Sequence, residues 1–279
     1  MIAATEADRP MIEAFLHRHF AEAMFPLSNL ARHGMAGGHP RAMRFWLRWA
    51  AGEVTDVLGV SDEGRVFPIC PTGPWGKVAV VLAGQPVRSI IGAADQVAAC
   101  RAALGLTARG DLDEIEPHYA LSLTDLIMPD ALGFRLLSLH EASLETATRW
   151  RAAFCEEAMD YEPKDAMDRA MADVTHYLEL DTHRILVKGQ APVAMTGFNA
   201  VLPHVVQVGG VYTPPDQRGR GYARLAVALH LAEVRENGVR DAVLSAANAA
   251  AARAYEAIGF RRCGSFAILD YAEPQVIHG

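Results

Sequence analysis

Residues 205–223 read VVQVGGVYTPPDQRGRGYA and are followed by RLAVALHLAEVRENG at 224–238. The first part is apolar and rich in β-branched residues, as a strand requires. Pro214 and Pro215 bring no backbone N–H to a ladder, so the chain leaves the sheet there, and a helical pattern resumes about five residues later. Gly219 and Gly221 fall in that handover, with Arg218, Arg220 and Arg224 around them. A helix start carries amides with no internal partner and about half a positive charge from its dipole. Glycines let an anion approach that backbone, so the stretch is built like a phosphate or pyrophosphate cradle. A basic, glycine-rich solvated turn would read the same way. No Gly-Lys-Ser/Thr follows, which excludes the P-loop pattern, and the full G-x-G-x-x-G of a dinucleotide fold is missing.

Further along, Asn248 and Tyr255 stand seven residues apart in NAAAARAYEAIGF (248–260). Seven residues are close to two helical turns, so both side chains are expected to face one way. Asn248 also suits a helix N-cap, and the two roles can coexist. Tyr255 alone would suit a half-buried core position.

The remainder of the second half predicts a strand at FRLLSL (134–139) and helices at 141–159 and 163–180. Three strand runs follow, RILVKG (184–189), PVAMTGFNAV (192–201) and HVVQVGGVYT (204–213), whose short connections predict an antiparallel meander. After the helix that the cradle opens come a strand at DAVLSA (241–246), a helix from Asn248, and a strand pair or one long strand in FRRCGSFAILDY (260–271).

In the first half, residues 10–24 predict a helix opened by Pro10, and FPLSNLARHGMAGGHPRAM (25–43) predicts a loop or short helical pieces. Strand runs in 44–71 are split by SDEG. KVAVVLAG (77–84) and VRSIIG (87–92) read as short strands, 93–106 as a helix and HYALSLTDL (118–126) as another strand. IMPDALG (127–133) punctuates the pattern, which places a domain boundary close to Ala131: domains 1–130 and 131–279. Both halves share a coarse order of helix, strands, helix, strand, a hint of duplication without a residue-level repeat.

The length of 279 residues favours two domains, and 51% hydrophobic with 21% charged residues describes a globular chain. A formal charge of −7 gives no global attraction to nucleic acid or to an anionic membrane. MIAATEADRPMIEAFLHRHF (1–20) lacks a basic-then-apolar signal pattern, and no apolar run approaches the ~18 residues a membrane span needs, so a cytoplasmic protein is expected. Cys70, Cys100, Cys155 and Cys263 lie far apart with no C-x-x-C pair, and they read as buried free thiols. His17 and His19 are two apart on a predicted helix and point apart, a poor metal pair.

Taken together, the cradle and the Asn248–Tyr255 pair resemble the GNAT acetyltransferase superfamily. Its R-x-x-G-x-A is matched by Arg218, Gly219, Arg220, Gly221, Tyr222 and Ala223, preceded by Gln217 and by a strand ending VYT. The resemblance runs over about residues 134–271 and is strongest at 205–260. It implies an α/β (α+β) fold of two GNAT-like domains, each a mixed, mostly antiparallel twisted sheet flanked by helices. The first domain looks like the degenerate member of a tandem, because no R-x-x-G-x-G/A follows its strands. Acetyl-CoA is implied as the acyl-donor substrate, without a metal. Backbone groups of Val211, Tyr212 and Thr213 should pair with the pantetheine arm as an added strand. Amides from Gly219 to Arg224 should hold the pyrophosphate, and Asn248 should contact the cofactor arm. Tyr255 should stand near the thioester sulfur, able to protonate the leaving thiolate.

The implied chemistry is direct attack by a primary amine, of a small molecule or peptide, on a thioester polarised by backbone N–H groups. For the base, the sequence leaves open His204, a water chain ordered by Gln207 or Tyr212, or an amine that arrives neutral. Residues 156–173 hold seven acidic and two basic side chains. Glu156, Glu157, Asp160 and Glu162 are candidates to attract a cationic amine, against the plainer reading of a solvated helix face. An acyl-CoA-binding sensor without turnover, and donors longer than acetyl, are the alternatives.

Overall fold

The computed structural model describes residues 1–35, 37–159 and 161–277. Its chain divides into two units, Met1–His118 with Cys263–Gly279, and Tyr119–Arg262. The first unit contains β1 (Ile2–Ala3), α1 (Arg9–Arg18), α2 (Phe20–His33), β2 (Met43–Ala50), β3 (Glu53–Ser61), β4 (Arg65–Ile69), α3 (Trp75–Leu82), β5 (Pro86–Ala93) and α4 (Ala94–Ala103). The next strand, β6 (Leu112–Ser122), starts in this unit and ends in the second. The second unit continues with β7 (Phe134–Ser138), α5 (Leu144–Met159), α6 (Pro163–Leu180), β8 (His183–Lys188), β9 (Ala191–Val201), β10 (Val205–Tyr212), α7 (Tyr222–Glu236), β11 (Asp241–Ser245) and α8 (Ala249–Glu256). The last strand, β12 (Arg261–Val276), belongs almost wholly to the first unit.

The element order of β1 to β6 is therefore repeated, element for element, by β7 to β12. In each unit three antiparallel strands lead to one helix and then to a parallel neighbour, β4 with β5 and β10 with β11. The compact units nevertheless depart from a division at Ala131. IMPDALG is a connection inside the second unit, and β12 returns to pair antiparallel with β5. Its Ala267, Leu269 and Tyr271 are buried with Leu58, Val66, Val78 and Ile90 in the first unit's core. Proline and glycine mark where a chain turns; which core a strand joins is set by the apolar face it can bury.

Two local expectations are overturned in the first unit. KVAVVLAG lies in α3, where Val78 and Leu82, four residues apart, are buried and Val80 between them is 77% exposed. That is a helical period, hidden by β-branched residues that favour strands. FPLSNLARH continues as α2 with Pro26 inside it, because Ala23, Met24, Leu27 and Leu30 bury one stripe and outweigh the ladder bond that proline removes. Cys70, Cys100 and Cys155 are buried thiols as expected, whereas Cys263 is exposed.

In the second unit the predicted meander forms, β7 to β10 pairing antiparallel in sequence order. One cluster joins Leu139, Trp150, Val174, Ile185, Met195 and Tyr212, packing α5 and α6 on the strands. Another joins Phe198, Val206 and Val208 to Val227 and Leu231 of α7. Burial from α7 and α5 thus fixes both ends of the 205–223 stretch.

Candidate functional site

Strand β10 changes partners along its length. It pairs with β11 at Val205, Val206 and Gln207, opposite Asp241, Ala242 and Val243, and beyond that point the two strands part. Against β9 the register shifts twice. Gly209 faces Gly197 while Tyr212 faces Met195, so β10 carries one extra residue there. This is a β-bulge, and Gly210 takes the left-handed φ of +63° that such a bulge asks of glycine. Beyond Gln207 the edge of β10 that faced β11 is open, which makes a fork between those two strands.

The fork leads to the predicted cradle. A single 3₁₀ turn at Pro215–Gln217 is followed by Gly219 at φ +77° and Gly221 at φ +79°, and α7 starts at Tyr222. The first bond closing the helix runs from the Leu225 N–H to the Gly221 carbonyl at 3.1 Å, and no side chain caps this end. The amides of Tyr222, Ala223 and Arg224 are therefore the open donors of a helix start. A Cβ placed on Gly219 would meet no protein atom within 4 Å. Glycine is needed there for its backbone angle, and the space above it is open.

The three arginines differ. Arg218 donates from Nε to the Thr213 carbonyl at 2.9 Å, pairs through its guanidinium with Glu157 at the end of α5, and lies 5.8 Å over the Tyr212 ring. Arg220 reaches the Asp216 carbonyl at 3.3 Å. Arg224 is exposed beside Gly221. Arg218 ties the cradle to strand and helix rather than presenting loose charge. Tyr222 is buried against Phe134, with ring centroids 5.6 Å apart, and anchors the first turn of α7. Half-buried Ala223 follows it.

Asn248 is the N-cap of α8, its Oδ1 accepting from the amides of Ala250 at 3.0 Å and Ala251 at 2.9 Å. Only its Nδ2 remains to serve a ligand. Tyr255 closes the same helix, buried in the core with Phe260 edge-on at 6.0 Å. Seven residues separate the two by about 10 Å along the axis. Asn248 folds its oxygen over the helix start, and the Tyr255 ring is buried in the second unit's core.

Among the open candidates for the base, Tyr212 is held. Its hydroxyl donates to Glu157 at 3.0 Å, and burial together with that bond pushes the phenol up to about 12. His204 is exposed in the turn before β10, roughly 30 Å of extended chain from Thr213. Its carbonyl accepts the amides of Arg240 and Asp241, a turn function. Gln207 is buried at the last β10–β11 pair, and its Oε1 has no hydrogen-bond partner among the described residues. The hydroxyl of Thr213 is likewise buried without a partner among them.

Of the acidic segment, Glu157 is committed to Tyr212 and Arg218, and Asp173 to Arg151 and Arg169. Asp160 lies outside the described residues. Glu156 and Glu162 are exposed. Reasoning from sequence missed Glu157 as the residue joining α5 to the cradle, and no spacing rule would have found a pair 61 residues apart. It also missed the bulge, for which the GG doublet inside a strand was an available signal.

The first unit offers an instructive contrast. Its β4 and β5 pair at Arg65–Ser89 and Val66–Ile90 and then part in the same way. Pro68 supplies no N–H, however, and the Cys70 amide is taken at 2.6 Å by the Oε1 of Gln96 from the first turn of α4. The loop to α3 is only Cys70–Pro74. That fork is closed by the unit's own side chain.

The second unit thus sets a parallel strand pair that opens beside a glycine-lined helix start. Residues 150–260 match the family model of the acetyltransferase (GNAT) family, so the second unit carries a GNAT domain. Two solved structures with TM-scores above 0.5 extend the likeness of fold to both units. A GCN5-related N-acetyltransferase from Sphaerobacter thermophilus is 16% identical, with 100% of this chain and 95% of that chain covered and a TM-score of 0.57. A Drosophila protein is 12% identical over 96% of this chain and 97% of its own, with a TM-score of 0.60. A tandem GNAT protein from the clavulanic acid biosynthesis pathway, 16% identical over 96% of both chains, has a TM-score of 0.49. No curated protein sequence matches the chain. Among the described residues no helix is long and apolar enough to cross a membrane, and no three His, Cys, Asp or Glu side chains are grouped to hold a metal ion.

Proposed function

We propose that this chain is an N-acyltransferase whose second unit takes acetyl-CoA as donor and passes the acetyl group to a primary amine. The observation that carries the reading is the β10–β11 fork opening onto the uncapped, glycine-lined start of α7. Amides from Gly219 to Arg224 and the helix dipole suit a pyrophosphate. The free edge of β10 through Val211, Tyr212 and Thr213, with the unpartnered Thr213 hydroxyl, suits the amides of a pantetheine arm. Asn248 adds its Nδ2.

A bound thioester supplies an activated acyl carbon. The bulge amides at Gly210 and Val211 polarise its carbonyl. The amine nitrogen bonds to that carbon, the C–S bond breaks with its electron pair on sulfur, and the amine proton ends on the thiolate. Tyr255 delivers that proton, a modest demand for a thiol of pKa about 8.5. Gln207 takes no proton; its free Oε1 accepts an N–H of an amine that enters neutral.

Calorimetry with acetyl-CoA, followed by thiol release across a panel of amines, tests the reading. Binding with amine-dependent release, weakened by Gly221→Val, supports it. Failure of the wild-type protein to bind acetyl-CoA overturns it. One observation favours a second reading, an acyl-CoA sensor: residues 205–213 contain no Asp or Glu. Binding without release by any amine would select the sensor.

A further inference from the structure

The bulge of β10 rests on one buried side chain that the steps above do not use. His183, at the start of β8, is fully buried. Its ring stacks on Tyr177 of α6 with centroids 3.4 Å apart and planes 12° from parallel. Its Nδ1 lies 3.0 Å from the Thr182 hydroxyl. A Cβ on Gly197 of β9 would fall 2.1 to 2.5 Å from three ring atoms, and one on Gly210 of β10 would fall 2.7 Å from Nε2. The imidazole therefore occupies the volume that side chains of two neighbouring strands would take. A side chain at either position would collide with this ring, and Gly210 needs its positive φ as well.

The nitrogen needs its own explanation. Nε2 is buried and has no hydrogen-bond partner among the described residues. A phenylalanine would fill a similar space without the penalty of burying an unpaired polar atom. Burial is the main cause that pushes the imidazole pKa down to about 3, and the nearby Arg151, Arg184 and His176 act in the same sense. The ring is neutral at physiological pH, with its tautomer coupled to Thr182.

Resting on the acyl-transfer reading, we propose that His183 is a positioning residue: wedged between Tyr177 and the Gly197–Gly210 backbones, it fixes the β10 bulge. Its Nε2 is the ring atom nearest the Gly210 position, 2.7 Å from where a Cβ would stand, and a carbon with its hydrogen in that place would press on the bulge. The Gly210 and Val211 amides thereby keep the direction that a thioester oxygen requires. His183 does not touch the reacting atoms.

The test needs no acceptor. Carbonyl-labelled acetyl-CoA is bound to wild type, His183→Phe and His183→Ala, and three quantities are read: thermal unfolding, the dissociation constant and the carbonyl stretching frequency. The wild-type protein is expected to lower that frequency relative to acetyl-CoA in water. His183→Phe keeps the volume, folds, and binds within about threefold of wild type because the cradle is untouched, yet loses much of the frequency shift. His183→Ala loses more of it. A residue that only fills space would not separate affinity from carbonyl polarisation. A full wild-type shift in either folded variant overturns the proposal. An absence of binding by the wild type instead overturns the acyl-transfer reading on which it rests.

Discussion

Asn248 caps α8 and is proposed to contact the cofactor arm, two roles that substitution can separate. Its Oδ1 accepts two amides at the start of α8, a helix of only eight residues. Replacing an N-cap asparagine by alanine costs about 1 kcal/mol, within a range of roughly 0.5 to 2. For a unit of this size that is a fall in Tm of about 2 to 4 °C per kcal/mol. The carboxylate of an Asn248→Asp variant would keep an oxygen in the same place, and its charge suits the positive end of the helix. Asn248→Asp should therefore hold wild-type Tm within about a degree, while Asn248→Ala falls by the amount above. Binding should follow a different order. Only Nδ2 is free to meet the cofactor arm, and both variants lack it. One neutral hydrogen bond is worth about 0.5 to 1.5 kcal/mol, so both should bind acetyl-CoA about 2- to 12-fold more weakly by calorimetry. If Asn248→Asp retained full affinity, the contact to the arm would be refuted and capping would be the whole role.

Other expectations follow from the same geometry. Tyr212→Phe removes the bond to Glu157, which is partly exposed, so stability should fall by about 1 kcal/mol or less in thermal melts. The pH profile of amine-dependent thiol release should be unchanged, and a changed acid limb would restore the phenol as a base. Because the folded pKa of His183 is about 3 against 6.5 ordinarily, the unfolded chain binds more protons between those values. Stability should be present above about pH 6.5 and drain away as pH falls toward 3, with a shallower slope in His183→Phe. Buried His230 acts in the same direction and leaves some slope behind. Calorimetry should find one acetyl-CoA per chain, since Gln96 occupies the Cys70 amide in the first fork. A stoichiometry of two would contradict that closure.

Local patterns carried much of the fold. The helix opened by Pro163, the meander of 184–213 and the strand–proline–glycine–helix handover all appear where their residues place them. α3 was hidden because Val78, Val80 and Val81 favour a strand locally, while burial of Val78 and Leu82 selects the helix. α2 was hidden by Pro26, whose cost is visible in sequence and whose compensation by buried Ala23, Leu27 and Leu30 is not.

The sequence by itself determined the strand–glycine–helix handover on which the proposed donor site rests. Glycine at positive φ, arginine beside it and a helix start are local chemistry, written within a few residues of one another. Only the tertiary structure decided what those residues are tied to. Glu157 meets Arg218 and Tyr212 across more than fifty positions, Asn248 turns its oxygen onto its own helix, β12 returns to the first unit, and the ring of His183 fills the space left by Gly197 and Gly210. All but the Asn248 cap are contacts between segments distant in sequence, set by burial and strand register, and no local pattern encodes which segments will meet.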